Sequence, residues 1–224
     1  MTAPTMQAST TVAARPAHCP TPSMPPLPPV TKNLLLICTA VFCAQFLARR
    51  AGMPLESWFA LWPLITPYFQ PWQLVSYAFL HGDTFHLFFN MLGLWMFGSE
   101  LERLWGAKRY LQFLLAGVLA AAVAQLLVTW LTQSPVPTVG ASGGLFALLL
   151  AFGMLFPNRI IVPLFPPIPM KARTFVLIFG GLELLLGFTG RTGVAHFAHL
   201  GGMVGGFLMI RWWRRQSPFG SRRR

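Results

Sequence analysis

Long apolar stretches dominate the chain, and charged residues interrupt them at only a few places. No charged residue lies between Arg109 and Arg159, a run of 49 positions. Because about 20 apolar residues are enough for one transmembrane helix, this run predicts two of them. The segment TQSPVPTVG at 132–140 separates the two, since its prolines and small polar residues interrupt the apolar pattern.

Four further apolar stretches lie at 33–47, 79–98, 174–188 and 194–213. Together the stretches predict an all-α polytopic membrane protein with six transmembrane helices. We expect a disordered cytoplasmic tail over 1–32, a six-helix domain over 33–213 and a basic cytoplasmic tail over 214–224. The first tail is rich in Ala, Thr, Ser and Pro without an apolar core, which is typical of disorder rather than of a signal peptide.

The composition supports a membrane protein. Only 10% of the 224 residues are charged and 54% are hydrophobic, whereas soluble domains have about 25% charged residues. The formal net charge of +12 would suit a nucleic-acid partner, but six of the seventeen Lys and Arg residues lie at or behind the end of the last apolar stretch. This placement is typical of membrane proteins, so we expect the lipid bilayer as a partner and no nucleic acid.

The positions of Lys and Arg also predict the orientation. With the N-terminus inside, 14 of these residues lie on the inner side and only Arg49, Arg50 and Arg191 on the outer side. The positive-inside rule therefore predicts cytoplasmic termini. The second, fourth and sixth predicted helices then start at the outer face and run inward.

Polar residues cluster at the starts of these three helices. His81, His86 and Asn90 lie at the second start, Ser142 at the fourth, and His196 and His199 at the sixth. Polar groups inside a membrane are costly unless they pair or face water, so a functional role is the default interpretation. The three helices are expected to bring these groups to one layer near the outer surface.

A serine among glycines is, by itself, explained equally well by close helix packing. It becomes a candidate nucleophile only if a neighbouring base can take its proton. We favour His199 as that base, because Gly202 and Gly206 follow it along one helix face. His196 is a competing base, but it lies one turn nearer the outer end.

The glycines of GASGG at 140–144 offer a matching surface on the fourth helix. Gly140 and Gly143 remove bulk there, as Gly202 and Gly206 do on the sixth helix. Close contact between the two stripes would bring Ser142 and His199 within hydrogen-bond reach.

Three separated motifs, HGDTFHLFFN at 81–90, GASGG at 140–144 and AHLGGMVGG at 198–206, occur in this order. Together they resemble the motifs of rhomboid intramembrane serine proteases. The resemblance covers 33–213 and includes FGSELERLWGAKRY and VPLFPPIPMKAR, and a core of six helices is similar to the prokaryotic form. The Trp-Arg pair that many relatives carry in the first outer loop is missing here.

The resemblance implies a role for each matching residue. Ser142 would be the nucleophile and His199 the general base, while His86 and Asn90 would stabilise the oxyanion together with the Ser142 backbone N–H. His81 and Gly202 match structural positions. Taken alone, Asn90 is also explained by an interhelical hydrogen bond.

The resemblance further implies a protease without a cofactor or metal. Its substrates would be transmembrane segments with helix-breaking small residues near their outer ends. The fifth helix and the glycine-containing loop at 189–194 are expected to yield and admit the substrate.

The acidic residues predict no third member of a catalytic triad, so the expected site is a Ser–His dyad. Asp83 is expected to cap the second helix, and Glu102 matches a structural position. Glu183 lies in the middle of the fifth helix, where a carboxylate is protonated or bonded to a neighbour, and we assign it no role.

Two other functions fit parts of the pattern. His81, His86, His196 and His199 offer ligands for a haem or a metal, but all lie at one face of the membrane and are not spaced as a haem pair across the bilayer. A catalytically inactive relative that binds membrane clients is the other possibility. The presence of both Ser142 and His199 argues against it.

Overall fold

A computed structural model describes residues 26–164, 166–189 and 194–216, and these residues are largely helical. The long helices are α1 (Pro29–Arg50), α4 (Thr84–Gly93), α5 (Ser99–Thr132), α6 (Ser142–Leu155), α7 (Ala172–Thr189) and α8 (His196–Gln216). The short elements are α2 (Glu56–Phe59), α3 (Gln73–Ser76), a 3-10 turn (Tyr77–Phe79) and the hairpin of β1 (Ile160–Ile161) and β2 (Met170–Lys171). The remaining parts of the predicted tails, 1–25 and 217–224, and the loop 190–193 lie outside the described residues.

The helices α4 and α5 form one continuous stretch, Thr84–Thr132, of 49 residues. A π-helical turn at Leu94–Gly98 joins them, and Gly106 interrupts α5 with a φ of 76° and a ψ of 161°. Only glycine adopts such a conformation without strain. The second and third predicted helices are therefore connected by a single glycine rather than by a loop.

Among the described residues, three helical stretches are long and apolar enough to cross a membrane. They are Pro29–Arg50, Thr84–Thr132 and Ala172–Thr189, and the apolar helix Ser142–Leu155 is shorter. Their outward-facing apolar side chains, among them Phe85, Leu177 and Phe188, are more than 70% exposed in the isolated chain. In a bilayer such surfaces face lipid rather than water.

The helix α1 begins at Pro29, four residues before the predicted start at 33. Glu102 explains this start, because its carboxylate accepts the backbone N–H groups of Val30 at 2.9 Å and Thr31 at 2.7 Å. The first N–H groups of a helix have no partner inside it, and a carboxylate there also balances the helix dipole. Glu102 is only 3% exposed, which bears out its structural interpretation.

The predicted start of the second helix, at 79, is wrong. Residues 77–79 form a 3-10 turn, and α4 begins at Thr84 because the Asp83 side chain accepts the backbone N–H of His86 at 2.9 Å. Asp83 is thus the N-cap expected from the sequence.

The core is formed by α5, α6 and α8, and small residues line their contacts. A Cβ on Gly202 would lie 2.8 Å from the carbonyl carbon of Gly143, and one on Gly206 would lie 3.1 Å from the Ala147 Cβ. The helices α6 and α8 therefore meet backbone to backbone, as small residues permit in membranes. Gly205 faces α5 instead, with a would-be Cβ 2.5 Å from the Ala120 Cβ.

Gly140 does not belong to this contact, and that part of the sequence interpretation needs correction. It precedes α6, has a φ of 128°, and its nearest neighbours are the ring of His86 and the hydroxyl of Ser142. The absence of a side chain at Gly140 thus makes room for His86 of α4 and has no part in the contact with α8.

The loop between α1 and α4 is tied to the start of α6. Leu61 and Thr138 exchange two backbone hydrogen bonds of 2.9 and 3.0 Å, and the Gly140 N–H donates to the Tyr77 carbonyl at 2.9 Å. Leu61 and Tyr77 are 1% exposed, whereas Trp58 is 67% exposed. The loop is therefore partly buried, and it holds the segment that leads to Ser142.

Candidate active site

Ser142 is the first residue of α6, and its side chain is half-buried. Because the first N–H groups of a helix lack intrahelical partners, this helix start offers free donors to an anion. The hydroxyl therefore lies beside the partial positive charge of a helix N-terminus.

His199 lies next to this hydroxyl. Its Nε2 is 2.8 Å from Oγ of Ser142, and the ring is 8% exposed. The Gly143–Gly202 contact brings the two backbones close enough for this distance. Phe146 stacks on the imidazole at a centroid distance of 4.2 Å and an interplanar angle of 7°, which fixes the ring plane.

Glu183 contacts the other side of the same ring, a relationship that the sequence did not predict. Its Oε2 lies 2.8 Å from Nδ1 of His199 and 2.6 Å from Nδ1 of His196. The observed partners agree with the expectation that this carboxylate is bonded to a neighbour. A carboxylate thus adjoins the predicted dyad. The sequence feature that could have revealed it was an acidic residue inside an apolar helix.

His196, the competing base, is oriented toward Glu183 through Nδ1, and His199 is the histidine bonded to Ser142. The rings of the two histidines lie 6.3 Å apart and nearly perpendicular. The preference for His199 as the neighbour of the serine therefore agrees with the geometry.

His86 of α4 borders the same space as the Ser142 hydroxyl. The empty Cβ position of Gly140 is 2.6 Å from Nε2 of His86 and 3.6 Å from Oγ of Ser142, so both atoms border one small space. The Gly82 N–H donates to Nδ1 of His86 at 3.3 Å, and in a neutral imidazole the other nitrogen then carries the proton. Nε2 of His86 is therefore a donor directed at the Ser142 segment.

Asn90 is 3% exposed and lies one turn below His86. One of its amide N–H groups donates to the His86 carbonyl at 3.0 Å, within the same helix. The amide has a second N–H that this bond does not use.

His81 lies in the loop before α4 and is fully buried. Its backbone exchanges two hydrogen bonds with the side chain of Gln45, of 3.0 and 3.2 Å, which ties α1 to this loop. Its ring packs edge-on against His86 at 5.2 Å. Burial, and secondarily the nearby His86, lower the pKa of His81 to about 4, so it is neutral at pH 7.

If the histidines bound a metal or a haem, several of their ligand atoms would have to lie close together. Among the described residues, one group of histidine and acidic side chains brings three such atoms within 4.8 Å of one another: Glu183, His196 and His199. In this group each imidazole Nδ1 is already hydrogen-bonded to the carboxylate. The hydrogen bonds account for the arrangement without a further ligand.

Comparison with known proteins identifies the family. A family model described as the Rhomboid domain matches residues 68–216, about two thirds of the chain. The chain belongs to the rhomboid family. The resemblance inferred from the three motifs is thereby confirmed, and membership of the rhomboid family together with the apolar helices establishes a polytopic integral membrane protein.

Curated rhomboid relatives show moderate sequence identity. The chain is 27% identical to rhomboid protease GlpG of Yersinia pestis over 192 residues, covering 84% of this chain and 64% of that protein. GlpG of Yersinia pseudotuberculosis gives the same values. Rhomboid protease GluP of Bacillus subtilis is 31% identical over 141 residues, covering 61% of this chain and 25% of GluP. The chain thus spans just under two thirds of the length of the GlpG relatives.

Proposed function

We propose that the chain is an intramembrane serine endopeptidase that hydrolyses peptide bonds in or near transmembrane segments. The observation that carries the proposal is the 2.8 Å approach of His199 Nε2 to Ser142 Oγ, at the start of a helix in a rhomboid domain. The names of the GlpG and GluP relatives, both rhomboid proteases, support it.

In the proposed first step, Nε2 of His199 takes the proton of the Ser142 hydroxyl while Oγ attacks the substrate carbonyl. The carbonyl π electrons move to the oxygen, which becomes an oxyanion. The tetrahedral intermediate then expels the amine, which receives the proton from His199, and an acyl-enzyme remains. In the second step water attacks the ester in the same way and frees Ser142.

The oxyanion is stabilised by donors on two elements. The backbone N–H of Ser142 comes from the start of α6, and Nε2–H of His86 and the unused amide N–H of Asn90 come from α4. Removing one such donor from a preorganised site costs about 10²–10³-fold in kcat. Asn90→Ala is therefore expected to lower kcat by about that factor.

We assign six membrane-crossing segments to the domain over 33–213: α1, residues 84–106, residues 107–132, α6, α7 and α8. The starts of α4, α6 and α8 lie together, which supports their common depth. With the inner side assigned by Lys and Arg, the site opens toward the outer face of a bacterial inner membrane, and both tails are cytoplasmic.

The substrate enters beside α7. In the most apolar 18 residues of α7 only 17% are buried, the same share as in α1, compared with 33% in the most apolar 18 residues of Thr84–Thr132. A loosely covered helix separates from its neighbours at lower cost. A cross-link between α7 and α4 that leaves cleavage of a transmembrane substrate intact would contradict this route.

A serine-directed fluorophosphonate probe tests the proposed function. The wild-type protein in detergent is expected to react and to cleave a model transmembrane substrate, and Ser142→Ala and His199→Ala are expected to do neither. Cys38→Ala is the matched control, because it removes the buried thiol of α1 and leaves Ser142 and His199 in place, and it should react normally. A wild-type protein that neither reacts nor cleaves would support an inactive relative that binds membrane clients.

A further inference from the structure

The carboxylate of Glu183 joins two histidines of α8 to the middle of α7. Its side chain is 13% exposed, and a single oxygen, Oε2, lies within hydrogen-bond distance of both Nδ1 atoms. A charge in this position is expensive inside a membrane unless it is paired. The arrangement therefore calls for a specific role of the acid.

We propose that Glu183 is a positioning residue that holds His199 in the tautomer and orientation needed to activate Ser142, so that the site works as a Glu–His–Ser triad. The proposal rests on the proposed protease function. It replaces the dyad expected from the sequence, in which nothing on the protein side determines the tautomer of His199.

The tautomer follows from the hydrogen-bonding capacity of each group. An ionised carboxylate only accepts hydrogen bonds, so His196 and His199 must both donate from Nδ1. In neutral His199 the lone pair is then on Nε2, the atom that lies 2.8 Å from Oγ of Ser142. The serine hydroxyl donates to it, and this is the geometry from which the proton is transferred.

The same carboxylate stabilises the charge that His199 acquires during the reaction. When Nε2 takes the serine proton, the imidazolium forms beside an anion 2.8 Å away. Glu183 keeps its own charge throughout, as the acid of a serine protease triad does.

Two further contacts restrict the carboxylate and the ring. His196 also bonds to Oε2, and Phe146 stacks flat on the His199 imidazole. Because His196 bonds to the carboxylate whereas His199 bonds to both the carboxylate and Ser142, a variant at His196 serves as a matched comparison. Such a variant changes the contact of His196 with Oε2 but keeps the Glu183–His199 pair.

The test compares Glu183→Gln with His196→Gln, measuring kcat and KM for a transmembrane substrate and the fluorophosphonate reaction rate. Glutamine keeps the size of Glu183 and removes its charge. We expect kcat to fall about 10²–10⁴-fold with KM nearly unchanged, because Glu183 does not touch the substrate. His196→Gln should lower kcat much less than Glu183→Gln, because the Glu183–His199 pair remains.

A purely structural link between α7 and α8 predicts a different result. Both variants would then lose activity to a similar extent and in proportion to their melting temperatures in detergent. That outcome, or a Glu183→Gln protein with wild-type kcat, would overturn the proposal.

A measurement on the wild-type protein covers the case in which Glu183→Gln does not fold. Histidine labelled with ¹⁵N reports which ring nitrogen carries the proton, and His196→Gln helps to assign the signals. His199 protonated at Nδ1 and free at Nε2 supports the proposal, and the opposite tautomer overturns it. If wild type reacts with the probe and only these tests fail, the protease function stands and the triad does not.

Discussion

Gly202 of α8 lies directly against Gly143 of α6, the residue that follows the candidate nucleophile. A Cβ on Gly202 would be 2.8 Å from the carbonyl carbon of Gly143 and 3.1 Å from its Cα. Both neighbours are backbone atoms and cannot rotate away. This contact sets the distance between the helices that carry Ser142 and His199.

Gly202→Ala is therefore expected to separate α8 from α6 and lengthen the distance from Nε2 to Oγ. Overpacking of this kind costs about 1–3 kcal/mol in stability, and a misplacement of about 1 Å costs about 10²-fold in activity. The melting temperature and the fluorophosphonate reaction rate measure the two effects. Gly181→Ala on α7 is the control, because a Cβ there meets nothing within 4 Å. An active, stable Gly202→Ala protein would disprove the importance of this contact.

Gly140→Ala tests the space between His86 and Ser142. The new Cβ would lie 2.6 Å from Nε2 of His86 at a φ of 128°, so it would displace the ring and strain the backbone. We expect kcat to fall at least as much as on loss of one oxyanion donor, about 10²-fold. Gly52→Ala separates crowding from backbone strain. Gly52 also has a positive φ, 75°, but a Cβ there would meet nothing within 4 Å. Equal losses of kcat in both variants would exclude crowding at His86 as the reason.

Glu102→Gln is predicted to destabilise the protein without altering the chemistry. The carboxylate accepts two backbone N–H groups and the Thr31 hydroxyl, and weakening charged, buried hydrogen bonds costs about 1–3 kcal/mol. Glu100→Gln is the matched control, because Glu100 forms an accessible ion pair with Arg159, worth about 0–1 kcal/mol. Thermal unfolding in detergent should separate the two variants. If both melt alike, Glu102 does not stabilise the start of α1.

Glu56 predicts a pH dependence of stability in the loop between α1 and α4. Burial raises the pKa of its carboxyl, but hydrogen bonds from Arg49 and Gln45 outweigh burial and lower the pKa below the ordinary value of 4.5. A lowered folded pKa means stability that is present above pH 4.5 and is lost as the pH falls through the folded pKa. The melting temperature of Glu56→Gln should therefore be lower than that of wild type at pH 7, and the difference should shrink toward pH 3. A constant difference would contradict the ionised pair.

Much of the fold could be predicted from the sequence because lipid imposes simple rules. Charge-free length predicts helices, which the structure shows, whereas the direction that Arg and Lys predict for them stays a prediction. The break at 132–140 was visible in its prolines, whereas the link at Gly106 was not, since one glycine among helix-forming residues has no distinctive pattern. The early start of α1 was also hidden, because its cap comes from Glu102, far along the chain.

At the candidate site, the pairing of Ser142 with His199 could be predicted, because the spacing of the glycines on both helices indicates a close contact between them. The contact of Glu183 could not. The sequence shows a carboxylate inside an apolar helix, but the rotation of α7 about its axis decides whether that carboxylate faces lipid, α6 or α8. A helix with little amphipathic pattern carries almost no information on that rotation.

The cap on α1 also constrains the order of biosynthesis. The residues that start the helix, Val30 and Thr31, depend on a carboxylate 71 or 72 positions further along the chain. The ribosome therefore releases the first membrane segment long before its partner exists. Until Glu102 has been synthesised and inserted, the first N–H groups of α1 lack their acceptor. The final position of this helix start is therefore reached late in assembly.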